Sequence, residues 1–287
     1  DRAYGDVEVG KYLCNHDMVE SIHITGSDRT HDAIVWGTED QEKRKASGEP
    51  INTRPITSEL GCVSPIIVVP GPWNDAQITF QARQIAAMVT QNASFNCNAG
   101  KFLMLPENWP HTQQLLDKIR QIFSETPTRE AYYPGTNERY QHFLKQYPQA
   151  ETPGGSVAEG HLPWTLLPQT DISASELSCS TEAFCGILGW GTVDCGAQPD
   201  PAVFLQRAVE LANSELWGTL SCNLLIHPKT QKQHQAALDS AIEALNYGTV
   251  AVNCWSGLGY GLTGPTWGAF PGHTLENISS GIGTVHN

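Results

Sequence analysis

The sequence predicts an α/β protein built on a parallel or mixed sheet with helices on both faces, and three kinds of observation carry that expectation. Short β-branched runs bounded by turn residues, Ser21 to Thr25 (SIHIT) and Pro65 to Pro70 (PIIVVP), read as strands buried inside a sheet. Apolar stripes at helical spacing alternate with such runs, as βα units require. The chain has 287 residues, 40% of them apolar and 16% charged, enough for one large core or two smaller ones.

Each element follows in order. The run Ile24 to Gly37 (ITGSDRTHDAIVWG) is strand, Thr-Gly-Ser turn and helix start, with Ser27 or Asp28 as N-cap. Residues 77 to 90 form a helical pattern that ends at the polar loop Asn92 to Gly100 (NASFNCNAG), and an apolar run, Phe102 to Leu105, follows that loop. Further helices are predicted from Leu115, Ile119, Ile122 and Phe123 on one face, from Phe204, Ala208, Leu211 and Ala212, and from Leu238, Ala241, Ile242 and Leu245. Strands Leu220 to Pro228 and Gly248 to Cys254 follow in the last third of the chain. Arg129 to Pro168 is rich in Pro, Gly, Gln and Tyr and reads as a surface excursion with one short helix near Glu138 to Gln146. From Gly257 onward the chain is glycine-rich and irregular.

Bulk properties exclude several functions. A net charge of −13, with no basic cluster longer than Glu42 to Lys45, disfavours nucleic acid. No run approaches the roughly 18 apolar residues of a membrane span. The eight cysteines contain no C-x-x-C pair, so zinc-knuckle spacing is absent, no metal is expected, and reduced thiols in a cytoplasmic protein are the plain reading. The chain opens on Asp1, and DRAYGDVEVGKYL reads like the middle of an alternating pattern, as a portion of a longer protein would.

Three stretches could carry chemistry. Cys97 sits among Asn96, Asn98, Ala99 and Gly100, small or polar neighbours that leave room for a substrate and backbone N–H groups for an oxyanion; the alternative is a small packed side chain. Glu59 precedes a turn at Gly61 and a buried strand, where a poorly solvated carboxylate could act as a base; the alternative is a solvent-facing strand end. Gly26 and Ser27 open a helix whose first amides could cradle a diphosphate, as they could in any α/β crossover.

In order and spacing, these stretches together resemble the C-terminal three-fifths of the NAD(P)-dependent aldehyde dehydrogenase superfamily. Thr25-Gly-Ser27 matches its T-G-S turn, Glu59 to Pro65 its E-L-G-G-x-S-P stretch, and Asn92 to Gly100 its N-x-G-Q-x-C-x-A-G loop. Glu182-Ala-Phe184 resembles its E-x-F-G-P element, Arg207 to His227 its A-x-x-x-A-N-x-x-x-Y-G-L stretch, Gly248 to Cys254 its G-x-V-x-x-N and Gly264 to Gly268 its S-P-F-G-G loop.

The resemblance implies a three-layer α/β catalytic domain over residues 61–256, the tail of a Rossmann-like cofactor domain over 1–60, and a substrate-pocket and C-terminal segment over 257–287. It implies that Cys97 attacks an aldehyde, that hydride passes to NAD or NADP, and that Glu59 activates the water that releases the acid. Glu182 and Phe184, with Gly26 and Ser27, are the implied cofactor-binding residues, and Trp255 and Trp267 the candidate pocket residues. A homo-oligomer is the implied assembly. A coenzyme A-acylating enzyme, which often lacks the glutamate, and a catalytically dead assembly module are the alternatives.

The pattern also departs from the family. Ser94 and Phe95 replace Gly and Gln, His31 stands where a glycine opens the helix, and Cys185 and Gly186 replace Gly and Pro. A histidine at such a helix start reads as solvated. The family's cofactor lysine and oxyanion asparagine lie upstream of the matched region, so this chain alone is expected to turn over little substrate.

Overall fold

A computed structural model describes residues 5–285, so the opening Asp1 to Tyr4 of the predicted alternating pattern lies outside the described residues. In chain order the first elements are α1 (Val7–Asn15), β1 (Ile22–Thr25), α2 (Asp28–Val35), α3 (Gln41–Ser47), β2 (Ile56–Glu59), β3 (Ser64–Val68) and α4 (Asp75–Thr90). Then come β4 (Gly100–Pro106), α5 (Thr112–Glu125), α6 (Thr136–Gln146), β5 (Thr165–Gln169), α7 (Leu177–Ser180), β6 (Ile187–Val193) and α8 (Pro201–Glu215). The last are β7 (Ser221–Leu225), α9 (Pro228–Gln233), α10 (Gln235–Ala244), β8 (Thr249–Val252), α11 (Gly257–Gly261) and β9 (Gly281–Ile282).

The strands form two sheets. Six lie in the order β5-β6-β4-β3-β7-β8, all parallel, and three in the order β1-β2-β9, with β9 antiparallel to β2. A parallel sheet needs both faces covered, and alternate side chains of its central strands divide between two cores. Ile67, Val69, Phe102, Met104, Cys222 and Leu224 pack with Phe204, Ala208, Leu238 and Ala241 of α8 and α10. Ile66, Val68, Leu103, Leu105 and Leu225 pack with Ile78, Ile85, Leu115, Ile119 and Phe123 of α4 and α5. Each such Val, Leu, Ile, Phe or Met side chain, removed from water, stabilises the fold by about 1.5–3 kcal/mol.

Local signals explain where helices start. Asn74 and Gln77 form a reciprocal capping box that opens α4, and Asp200 caps α8 ahead of Pro201. Among the described residues no helix is long and apolar enough to cross a membrane.

Two regions differ from the expectation. The excursion at 129–168 is anchored: Tyr140, Phe143 and Tyr147 pack in a third core with Leu167, Ala183, Cys185 and Ile187, and its last residues begin the edge strand β5. Two buried rings on an otherwise polar helix, with a third just past its end, are too sparse a stripe to register as a core face. The glycine-rich C-terminal segment is irregular as expected, yet it returns as β9 to pair with Ser58 and Glu59. Gly281 makes that return with φ +120°, and a Cβ there would run into the Ser58 carbonyl oxygen.

Candidate active site

Glu59 ends β2 and is buried, so the strand-end carboxylate does not face solvent. Its Oε1 accepts a hydrogen bond from Trp267 Nε1 at 3.1 Å, and its carbonyl accepts one from the Gly26 amide at 3.1 Å. The next residues are clamped by the C-terminal segment: Leu60 N–H donates to Ser280 O at 2.9 Å, and Ser280 Oγ donates to Gly61 O at 2.7 Å.

The loop from α4 to β4 presents Cys97. Asn92, Ala93 and Ser94 all adopt left-handed backbone, with φ of 52°, 54° and 68°. Such geometry costs a non-glycine residue about 1–2 kcal/mol, asparagine least. Hydrogen bonds hold it in place: Asn92 Nδ2 donates to Phe95 O at 3.2 Å, Asn96 Nδ2 to Gln91 O at 3.1 Å, and Lys101 Nζ to Ser94 O at 3.0 Å and Ser94 Oγ at 2.9 Å. On the far side Trp255 Nε1 donates to Asn98 O at 2.8 Å.

These two pieces meet. The half-buried Cys97 thiol lies within electrostatic reach of the Glu59 carboxylate, and of Glu182 beyond it. Burial first, then the Glu59 carboxylate, then the Glu182 charge push the thiol well above the ordinary cysteine range, while its own backbone N–H pulls it down. At neutral pH the sulfur is a thiol, and its proton has a carboxylate beside it.

Glu182 forms the third wall. A Cβ at Gly61 would fall on its Oε2, so only glycine fits there, and the Cys62 amide donates to the same carboxylate. Burial pushes the Glu182 carboxyl up, opposed chiefly by Lys101. Its Oε1 is buried without a hydrogen-bond partner. Phe184, with φ 43°, packs against Phe95 at 5.7 Å and Tyr133 at 5.0 Å between ring centroids.

The remaining predicted residues fall around this centre. Ser27 is exposed and caps α2 by accepting from the Thr30 amide at 3.2 Å, with Gly26 half-buried beside it. Trp267 is sealed in the core at 1% exposure and Trp255 braces the cysteine loop, so both indoles serve the catalytic candidates rather than an open tunnel. His31 is fully buried instead of solvated, with Nδ1 3.3 Å from Asp32 and Nε2 without a partner. It lies four positions after the Ser27 cap, on the inner face of α2. All eight cysteines are free, and among the described residues no group of three or more His, Cys, Asp or Glu could hold a metal ion.

Sequence reading missed Lys101, which is buried at 4% exposure. Its signal was a lone lysine heading an apolar strand. Tyr132 was also missed; its hydroxyl lies 3.2 Å from Asn92 Nδ2.

No family model and no curated protein matches this sequence. Solved structures do match. A γ-glutamyl-γ-aminobutyraldehyde dehydrogenase from Burkholderia cenocepacia superposes with a TM-score of 0.71 at 21% identity, over 98% of this chain and 52% of that one. The fold is that of the aldehyde dehydrogenases. An NADP-dependent glyceraldehyde-3-phosphate dehydrogenase from Bacillus halodurans, complexed with NADP, gives a TM-score of 0.69 at 18% identity, over 96% of this chain and 51% of that one. A betaine aldehyde dehydrogenase from Staphylococcus aureus, in complex with NAD+, gives 0.68 at 17%, over 96% and 50%. The chain thus spans about half the length of these aldehyde dehydrogenases.

Proposed function

We propose that this chain carries the catalytic half of an NAD(P)-dependent aldehyde dehydrogenase, with Cys97 as nucleophile and Glu59 as general base. One observation carries the proposal: residues thirty-eight positions apart in sequence bring a thiol within electrostatic reach of a buried carboxylate.

Glu59 takes the Cys97 proton as the sulfur adds to the aldehyde carbon, giving a thiohemiacetal whose oxyanion the Cys97 amide is placed to receive. The bound nicotinamide supplies a hydride acceptor. Glu59 passes that first proton to solvent and, again a carboxylate, deprotonates the water that cleaves the Cys97 thioester, a role that its hydrogen bond from Trp267 orients. That carboxylate favours water over coenzyme A as the acyl acceptor.

The residues fit a nicotinamide dinucleotide at its ribose, because Glu182 Oε1 is a buried acceptor without a partner and a ribose hydroxyl is a donor. Phe184 would border the ring, and the turn of half-buried Gly26 and exposed Ser27 would take the diphosphate. Exposed Val7, Met18, Leu258 and Leu262 support self-association into a homo-oligomer, which sedimentation would test.

The test is NAD(P)H formation by a protein containing this chain, across aliphatic and aromatic aldehydes. Cys97→Ala should abolish it, and Glu59→Gln should leave one burst of reduced cofactor per site followed by slow turnover. Full steady-state activity in either variant would sink the proposal.

A further inference from the structure

Lys101 stands at the head of β4, a strand whose residues are all buried, four positions after Cys97. Among the described residues it is the one lysine or arginine in the buried set. Two of its ammonium hydrogens are used by Ser94, through O at 3.0 Å and Oγ at 2.9 Å, and its Nζ lies 5.9 Å from the centroid of the Phe184 ring. A neutral donor would suffice to hold Ser94 in its left-handed backbone. Burying a full charge costs free energy unless other charges answer it.

The surroundings answer that cost in part. Burial, the largest effect, lowers the Lys101 pKa below the ordinary lysine value, Glu182, Cys185 and Cys97 act to hold the charge, and Arg139 on α6 opposes it. Arg139 itself is tied to Ala183 O, Pro134 O and Thr136 Oγ1. Around the Cys97 sulfur stand Glu59 from β2 and Glu182 from the segment after α7, so a thiolate there meets a carboxylate charge and, whenever Glu182 is ionised, a second one. Lys101 is the leading cation acting on Glu182 and reaches Cys97 more weakly.

We propose that Lys101 is a positioning residue for Cys97: its buried ammonium pins the left-handed turn that presents the sulfur and supplies the positive charge that a Cys97 thiolate needs beside Glu59 and Glu182. This rests on the reading of Cys97 as nucleophile.

The test follows iodoacetamide labelling of Cys97 by peptide mass mapping between about pH 6.5 and 10, where the labelling rate rises with the thiolate fraction. The variants are Ser94→Ala, Lys101→Arg, Lys101→Met, Glu182→Gln and the double variant Lys101→Met/Glu182→Gln. Lys101→Met should slow labelling at pH 8 about fivefold or more and move the profile up by about one pH unit, while Lys101→Arg, which keeps the charge, holds it nearer the parent. Ser94→Ala removes one acceptor and leaves the charge, so its profile should stay within about 0.3 pH units of the parent.

The double variant avoids an unanswered buried carboxylate, and its profile should lie above that of Glu182→Gln; this pair decides the matter if Lys101→Met does not fold. Unmoved profiles on loss of Lys101, or an equal shift in Ser94→Ala, would overturn the proposal. The nucleophile reading fails separately, if parent Cys97 labels no faster than the buried cysteines, and the comparison at residue 101 is still read on the Cys97 profile in that case.

Discussion

Neutralising Glu59 should make Cys97 more reactive toward an alkylating agent while slowing the release of an acyl group from its sulfur. The Glu59 charge is a main cause of the elevated thiol. At about 4 Å and an effective dielectric near 20, a unit charge acts on its neighbour with about 4 kcal/mol. Partial solvent access to Cys97 reduces the usable part to about 1.4–2.7 kcal/mol, or about one to two pH units. The thiolate fraction at neutral pH then rises about 10- to 100-fold. A more acidic thiol is a weaker nucleophile, with a Brønsted slope of about 0.4–0.5, so the net gain in alkylation rate is about 3- to 10-fold. Iodoacetamide labelling of parent and Glu59→Gln at pH 7.5, resolved by peptide mapping, measures it. An unchanged or slower rate in the variant would refute the placement of that charge beside the sulfur.

Three further outcomes follow from the geometry. Ala93→Gly should leave unfolding stability within about 0.5 kcal/mol of the parent in denaturant melts, because relief of the left-handed strain at φ 54° is offset by loss of a buried methyl and by the freer unfolded chain. Gly61→Ala should lower stability by about 2 kcal/mol through collision with the Glu182 carboxylate, and Glu182→Ala in the same chain should restore part of that loss. Burial lowers the His31 pKa below its unfolded value, so stability from this residue is present above about pH 6.5 and lost as pH falls through the unfolded and then the folded pKa. His31→Gln should flatten that decline in melts between about pH 7 and 5.

The sheet and its helices were legible because their signals are local. Ile66, Val68 and their neighbours form a fully apolar run, Asn74 and Gln77 lie three apart, and the α5 stripe repeats at helical spacing. The pairing of Glu59 with Cys97 was legible only through the order of motifs, since nothing local to either residue fixes a contact across α4. Trp267 shows the limit: its ring lies in a glycine-rich stretch, and only the return of β9 along β2 delivers its indole to Glu59. His31 reads as solvated because a histidine three positions into a helix carries no mark of the inner face, whereas packing of α2 buries it completely. Lys101 reads as the edge of a strand, and its burial becomes visible only once the left-handed turn at Ser94 offers two acceptors.

The central claim is that Cys97 and Glu59 form one acyl-transfer pair, and an activated acyl ester probes it without the hydride step. After brief exposure to p-nitrophenyl acetate and acid quench, peptide mass mapping should find a transient acetyl group on Cys97 in the parent, the same adduct persisting in Glu59→Gln, and none at position 97 in Cys97→Ala. Acetylation spread evenly over the cysteines, or an adduct on Cys97 that decays as fast in Glu59→Gln as in the parent, would contradict it.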